Sequence, residues 1–131
     1  MSAKEEEDRS IIINRKWEEV WELVSNPEWF AQIFEGVSIV PTRRDTPGQV
    51  DIRQQVAGRW ITSIVAVENL NAEQKEVSYR IGSSLIRIGL EPEDAKTKLR
   101  VKLWFDPAPS ERVLRAYSTS LLHRLKQAAE V

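Results

Sequence analysis

From Gly36 to about Phe105 the apolar residues recur at every second position, over about seventy residues, and no other feature of the chain restricts its fold as much. A period of two sends alternate side chains to opposite faces of a strand, so this stretch reads as a sheet with one dry and one wet face. Turn-formers break it at Asp45-Thr46-Pro47-Gly48, Gly58, Asn69-Leu70-Asn71, Gly82-Ser83-Ser84 and Pro92-Glu93-Asp94, which gives six strands. Lys98-Leu99-Arg100-Val101-Lys102-Leu103 is the plainest, and it predicts Leu99, Val101, Leu103 and Phe105 on the inner face. The same alternation places Ile52, Gln54 and Val56 inside, then Val77, Tyr79 and Ile81, then Ile86, Ile88 and Leu90. For the strand at Trp60 it favours Ile61, Ser63, Val65 and Val67. A slip of one residue there would bring in Trp60, Thr62, Ile64 and Ala66 instead, because a period of two exchanges whole faces.

One dry face needs a cover, and helical patterns flank the alternating stretch. Pro107 and Pro109 end the last strand, Ser110 can cap, and the chain to Glu130 reads as one helix of about twenty residues. Val113, Leu114, Tyr117, Leu121, Leu125 and Ala128 share one of its faces, with Arg112, Arg115, Arg124 and Lys126 off it. At the other end Ile11, Ile12 and Ile13 make a short β-branched strand, followed by Asn14 as a candidate N-cap. Trp17, Val20, Trp21 and Val24 then form a helical stripe, and Ser25-Asn26-Pro27-Glu28 stops that helix and starts a second. The second carries Trp29, Phe30, Ile33 and Phe34 and ends near Gly36. Trp29 and Phe30 are adjacent, so a narrow stripe cannot bury both equally, which leaves one exposed or touching a ligand.

The expected architecture is α+β: a curved antiparallel sheet of about seven strands, two short helices after the first strand, and a long C-terminal helix packed across the sheet. Residues 1–9, MSAKEEEDR, read as an acidic tail and residues 10–131 as a single domain.

The order of elements and the local wording together resemble the START-like or SRPBCC superfamily, with its helix-grip fold. The resemblance covers nearly the whole chain. It rests on I-I-I-N-R-K-W-E-E-V-W-E-L-V-S-N-P-E-W-F-A-Q-I-F-E-G-V, residues 11–37, which is similar to that superfamily's opening strand, V-W motif, Asn-Pro helix break and return into the sheet. It rests also on L-L-H-R-L-K-Q-A-A-E, residues 121–130, which is similar to its closing helix. These are marks of fold, not of catalysis. The resemblance implies a cavity between sheet and last helix, used in relatives for lipids, polyketides, sterols or quinones. Some relatives are cyclases and others act on proteins.

The residues themselves narrow the chemistry by exclusion. Nineteen Lys and Arg against twenty Asp and Glu leave a net charge of -1, which provides no overall field for nucleic acid or an anionic membrane. No run approaches the roughly 18 apolar residues of a membrane-spanning helix, so no stable membrane insertion is expected. The absence of cysteine excludes disulfides, thiolate metal sites and a cysteine nucleophile, and suits a reducing, cytoplasmic setting. His123 is the single histidine and falls beside the apolar stripe of its helix, with no paired metal spacing and no nucleophile motif around it. Neither a metal nor a cofactor is expected. Arg80, Arg87, Arg100 and Lys102 read as solvated outer-face residues.

What remains is a small-molecule site, in which apolar walls supply affinity and a few polar groups fix orientation. The candidate cavity residues are Trp21, Trp29, Phe30, Phe34, Gln54, Ser63, Tyr79, Ile88, Val101, Leu103, Leu114, Tyr117, Ser118 and Leu121. Tyr79 or Tyr117 could polarise a carbonyl in a cyclase; the alternative is that their hydroxyls satisfy buried backbone. The leading expectation is a hydrophobic-ligand carrier or sensor. A polyketide cyclase or aromatase, and a protein-binding module or homodimer without ligand, are the alternatives.

Overall fold

The alternating stretch becomes one antiparallel sheet, and both helical regions lie against the same face of it. The computed structural model describes residues 4–5, 9–33, 37–40, 48–56, 58–82, 84–105 and 111–131, with backbone alone for 4–5, 37–40, 54–56, 105 and 111–114. In chain order the elements are β1 (Lys4–Glu5), β2 (Arg9–Ile13), α1 (Trp17–Val24), α2 (Pro27–Gln32), β3 (Val37–Val40), β4 (Gln49–Val56), β5 (Arg59–Asn71), β6 (Glu76–Ile81), β7 (Ser84–Glu93), β8 (Lys96–Phe105) and α3 (Glu111–Ala129). The six strands β3 to β8 form a meander in which each pairs with the next, and β1 and β2 both pair with β8. Compared with the expected sheet of about seven strands, β1 is the addition: Lys4 and Glu5 sit opposite Phe105 and Trp104. Those two residues of the acidic start pair with the sheet edge at β8.

The dry face is the one the alternation predicts. Val77 and Tyr79 of β6, Ile86, Ile88 and Leu90 of β7, and Leu99, Val101 and Leu103 of β8 are all buried. In β5 the register is the first of the two readings. Val65 lies opposite Val50 and Ser63 opposite Ile52, and Val50, Ile52 and Val65 are buried. Trp60 therefore points to the wet face, where the Arg53 guanidinium stands 4.7 Å from its ring centroid. A register shift between Val67 and Asn69 marks a bulge in β5, a device that bends a strand and adds to the curvature of the sheet.

The helices follow local chemistry with two departures. Asn26 caps α2 as expected, accepting from the Glu28 N–H at 3.0 Å, with Pro27 in the first turn. Asn14, however, does not cap α1, whose N-cap is Lys16 with no side-chain bond. Asn14 lies too early, and its N–H donates instead to Glu130 Oε2 at 2.8 Å. The second departure is the buried face of α3. Ser118, Leu121, Leu122, Leu125 and Ala129 are buried, while Tyr117 is 36% exposed and Ala128 only half-buried. The stripe drawn through the largest apolar groups is rotated by about one residue, because small Ser118 and Ala129 permit the closest approach to the sheet. The α3 residues Val113 and Leu114, like Phe105, lie outside the described side chains.

The helices do not cover the inner face evenly. The main packing of α3 is against β2 and β8, of α1 against β7 and β8, and of α2 against β3, β4 and β5. The C-terminal end of α3 is fastened to β2 by Lys126, whose Nζ donates to the Ile12 carbonyl and to Glu130, each at 2.6 Å.

Candidate ligand-binding site

Accessible surface separates the candidate residues into two groups. A side chain with no accessible surface faces no void large enough for water and is part of the packed core. Phe30, Tyr79, Ile88, Val101, Leu103 and Ser118 are at that limit, and Leu121 is nearly so. Expected as cavity lining, these residues are packed in the core of this structure. Long alternating runs identify a dry face, and a dry face is core wherever a helix reaches it.

Tyr79 shows how such a residue is used. Its ring stacks on Phe30 with centroids 4.1 Å apart and planes 5° from parallel. Its hydroxyl donates to the Val24 carbonyl at 2.5 Å, satisfying a group near the end of α1 that has no helical partner. Burial pushes this phenol well above the ordinary tyrosine range. The proton that a cyclase would require is committed to the backbone. Ser118 is likewise satisfied, donating to the Arg115 carbonyl at 3.1 Å within its own helix.

The second group keeps accessible surface on the inner side. Ile61 shares its face with Val65, yet Val65 is fully buried and Ile61 is 46% exposed. Ser63 stands between them and is partly exposed, as is Ile81, which lies opposite Val65 on β6. All are at the end of the sheet where β6 and β8 finish and from which the chain continues toward α3. Trp21 and Trp29 are half-buried against the core, so of the adjacent pair it is Phe30 that enters the core and Trp29 that stays at the margin. Tyr117 is the residue of α3 nearest this end with a described side chain that could supply a hydroxyl. Desolvation raises its pKa to about 12, a shift partly offset by the positive charge of Arg124.

Gln54 pairs with Ile61 across β4 and β5, so its backbone belongs to the same end, and Leu114 precedes Tyr117 by one helical turn. Their side chains, and Phe34 altogether, lie outside the described residues. Sequence reasoning assigned Ile61 and Ile81 to the inner face but did not nominate them for the site. The available signal was positional: both stand at strand ends, beyond the span a single helix can cover.

The wet face has different chemistry. A depression of about 310 Å³ there is lined by Glu76, Arg87, Gly89, Glu91, Arg100 and Lys102 among others. Arg87 pairs with Glu76 at 3.4 Å, Arg100 with Glu91 at 3.6 Å and Arg80 with Glu68 at 3.1 Å. These are exposed pairs that balance one another's charge, as expected of solvated outer-face residues. His123 is exposed. Among the described residues no three His, Asp or Glu side chains gather as a metal site, and no helix is long and apolar enough to cross a membrane.

An antiparallel meander gripped by a C-terminal helix, with an apolar inner face open at one end, defines the helix-grip class. The chain belongs to the family described as polyketide cyclase / dehydrase and lipid transport, whose model matches residues 6–130. No curated protein matches the sequence. Similar solved structures include the Zhui aromatase/cyclase from Streptomyces sp. R1128, 17% identical, covering 98% of this chain and 94% of that one, with a TM-score of 0.67. A START superfamily protein from Mycobacterium smegmatis is 19% identical, covers 97% and 95%, and has a TM-score of 0.67. An AHSA1-like protein from Aeromonas hydrophila is 13% identical, covers 95% and 92%, and has a TM-score of 0.66. At these identities the likeness is one of fold.

Proposed function

We propose that this protein binds a hydrophobic small molecule of the lipid, polyketide or quinone kind at the open end of the inner sheet face, and carries or senses it in the cytoplasm without turnover. The supporting observation is the contrast along β5: one apolar face, fully buried at Val65 and 46% exposed at Ile61. An apolar surface left uncovered beside a dry core gains free energy by taking up an apolar guest, at roughly 25 cal/mol per Å² removed from water. In this reading Trp29, Ile61 and Ile81 supply the wall, Ser63 and Tyr117 orient the guest, and the positions of Gln54, Phe34 and Leu114 complete the rim. Trp21 supports the wall from behind. The family description, which joins lipid transport to cyclase activity, agrees with this class of ligand.

Protein purified gently from its host and examined by native mass spectrometry and solvent extraction is expected to carry an apolar molecule. Saturation at a hundredfold over Kd should add about 2.7 kcal/mol of stability, a rise of several degrees in Tm. If nothing co-purifies and no lipid, quinone or polycyclic aromatic shifts the Tm, the reading is wrong.

A cyclase or aromatase remains the second reading, supported by the family description and by Tyr117 at the open end. Tyr117 keeps accessible surface where Tyr79 has none, so in this reading the chemistry falls to Tyr117, and Tyr117→Phe should abolish any turnover if it exists. Unchanged turnover in that variant removes the role.

A further inference from the structure

Past the end of β6 the sheet narrows to β3, β4 and β5, and past Val37 opposite Gln54 only β4 and β5 go on, as a two-stranded tip that carries Arg59 and Trp60. The last rung between β5 and β6 is Val65 opposite Ile81, so Arg59 to Ile64 of β5 have no partner on β6, while β4 and β5 stay paired to Val56 opposite Arg59. That tip is two rungs long, about 7 Å at roughly 3.3 Å per residue, and Ile61 stands at its base, on the rung where β3 ends. The turn is bare, since a Cβ on Gly58, whose φ is +79, would meet nothing within 4 Å.

What this ribbon displays is unusual for a solvated hairpin. Trp60 is 55% exposed on the wet face and Ile61 46% exposed on the inner face, so both sides are apolar and open at adjacent residues. A docked protein surface covers one side of a ribbon; a fluid apolar medium covers both. The local charge also departs from that of the whole. Between Asp51 and Glu68 the chain holds two arginines, Arg53 and Arg59, and no acid, in a protein of net charge -1. Tryptophan with arginine nearby is the combination suited to the level of lipid headgroups, with the ring in the interface and the cation on phosphate.

We propose that the tip of the β4–β5 ribbon docks this protein reversibly on an anionic lipid surface, with Trp60 and Ile61 entering the interface and Arg53 and Arg59 meeting the headgroups. The docking stands independently; that it delivers a guest to the adjacent open end of the inner face rests on the binding reading above. No spanning or lasting insertion is involved, because two side chains and two charges give only a shallow, salt-sensitive hold.

Flotation with phosphatidylcholine vesicles, with and without phosphatidylglycerol, tests it on the full chain. The intact protein is expected to float with the anionic vesicles, weakly with the neutral ones, and to be released by high salt. Trp60→Ser with Ile61→Ser should lower partitioning by at least about tenfold, the effect of about half-burying two large apolar side chains. Arg59→Gln should weaken only the anionic-lipid component. Failure of the intact protein to float, equal flotation of the double variant, or a self-associated species that the double variant abolishes in place of vesicle binding would each overturn the proposal. Uptake of a fluorescent fatty acid from lipid-free solution separates the two readings. Trp60→Ser lies on the wet face and should take up that probe like the intact protein even as it loses the vesicles. A protein that floats but takes up no probe retains the docking and loses the ligand site.

Discussion

At the scale of single residues the consequential one is Tyr79, because alternation places it on the inner face and only packing decides what it does there. Its hydroxyl meets the Val24 carbonyl and its ring meets Phe30. Tyr79→Phe should cost about 1–3 kcal/mol by leaving that carbonyl without its partner, measured by urea unfolding, with ligand uptake unchanged. The pH dependence follows from the same burial. Tyr79 and Tyr117 both have folded pKa values raised above the ordinary 10.0, Tyr117 to about 12. Below pH 10 both states are protonated and the full stability is present. Above it the unfolded chain loses phenol protons that the folded chain retains, so stability should fall from about pH 10 upward. Tyr79→Phe should flatten that alkaline limb, and an unaltered limb would show that its phenol is not desolvated. The sequence offered both roles for Tyr79 and Tyr117, a phenol that polarises a carbonyl or one that satisfies buried backbone, and could not choose between them. The tertiary partner, an α1 carbonyl far away in the chain, sets the role of Tyr79.

At the scale of elements, strands were more legible than helix faces. A period of two offers only two registers, and in β5 the inner one is set by the rungs of Val65 and Ser63 with β4. A helix can rotate continuously, and α3 turned about one residue from the stripe its large side chains suggest. Leu125→Ala, on the observed face, is accordingly expected to cost about 2–5 kcal/mol in thermal or urea unfolding. Arg87→Ala, removing one side of an exposed pair, should change stability by less than about 1 kcal/mol. The cap of α2 was legible because Asn-Pro-Glu carries its own local hydrogen bond, and Asn26→Ala should cost about 1 kcal/mol. The start of α1 was not, since Asn14 answers to Glu130 from the opposite end of the chain.

At the scale of the whole molecule, the same Glu130 joins the two ends of the described chain, accepting from Lys126 and from the Asn14 N–H. Those hydrogen bonds, Lys126 first, hold its carboxyl below the ordinary carboxylate range. Its contribution is therefore present above that range and lost as pH falls through the lowered value, and Glu130→Gln should blunt the acid limb of unfolding. The global fold could be read from the order of elements, because helix-grip topology is written in long-range periodicity and in the local motifs of residues 11–37. The site could not, because whether an inner-facing residue is core or pocket depends on how far the helices reach across the sheet. On that distinction the proposed site lies at the end occupied by Ile61, Ser63, Ile81 and Tyr117, while Tyr79, Ile88, Val101 and Leu103 are packed in the core. The most direct test is a two-dimensional amide NMR titration with palmitate, a short-chain quinone and a tricyclic aromatic in turn. The expected result is saturable shifts at Ile61, Ser63, Ile81 and Tyr117 with the outer-face positions Arg87 and Arg100 unmoved; shifts confined to the outer face, or none with any of the three, would contradict a ligand site on the inner face.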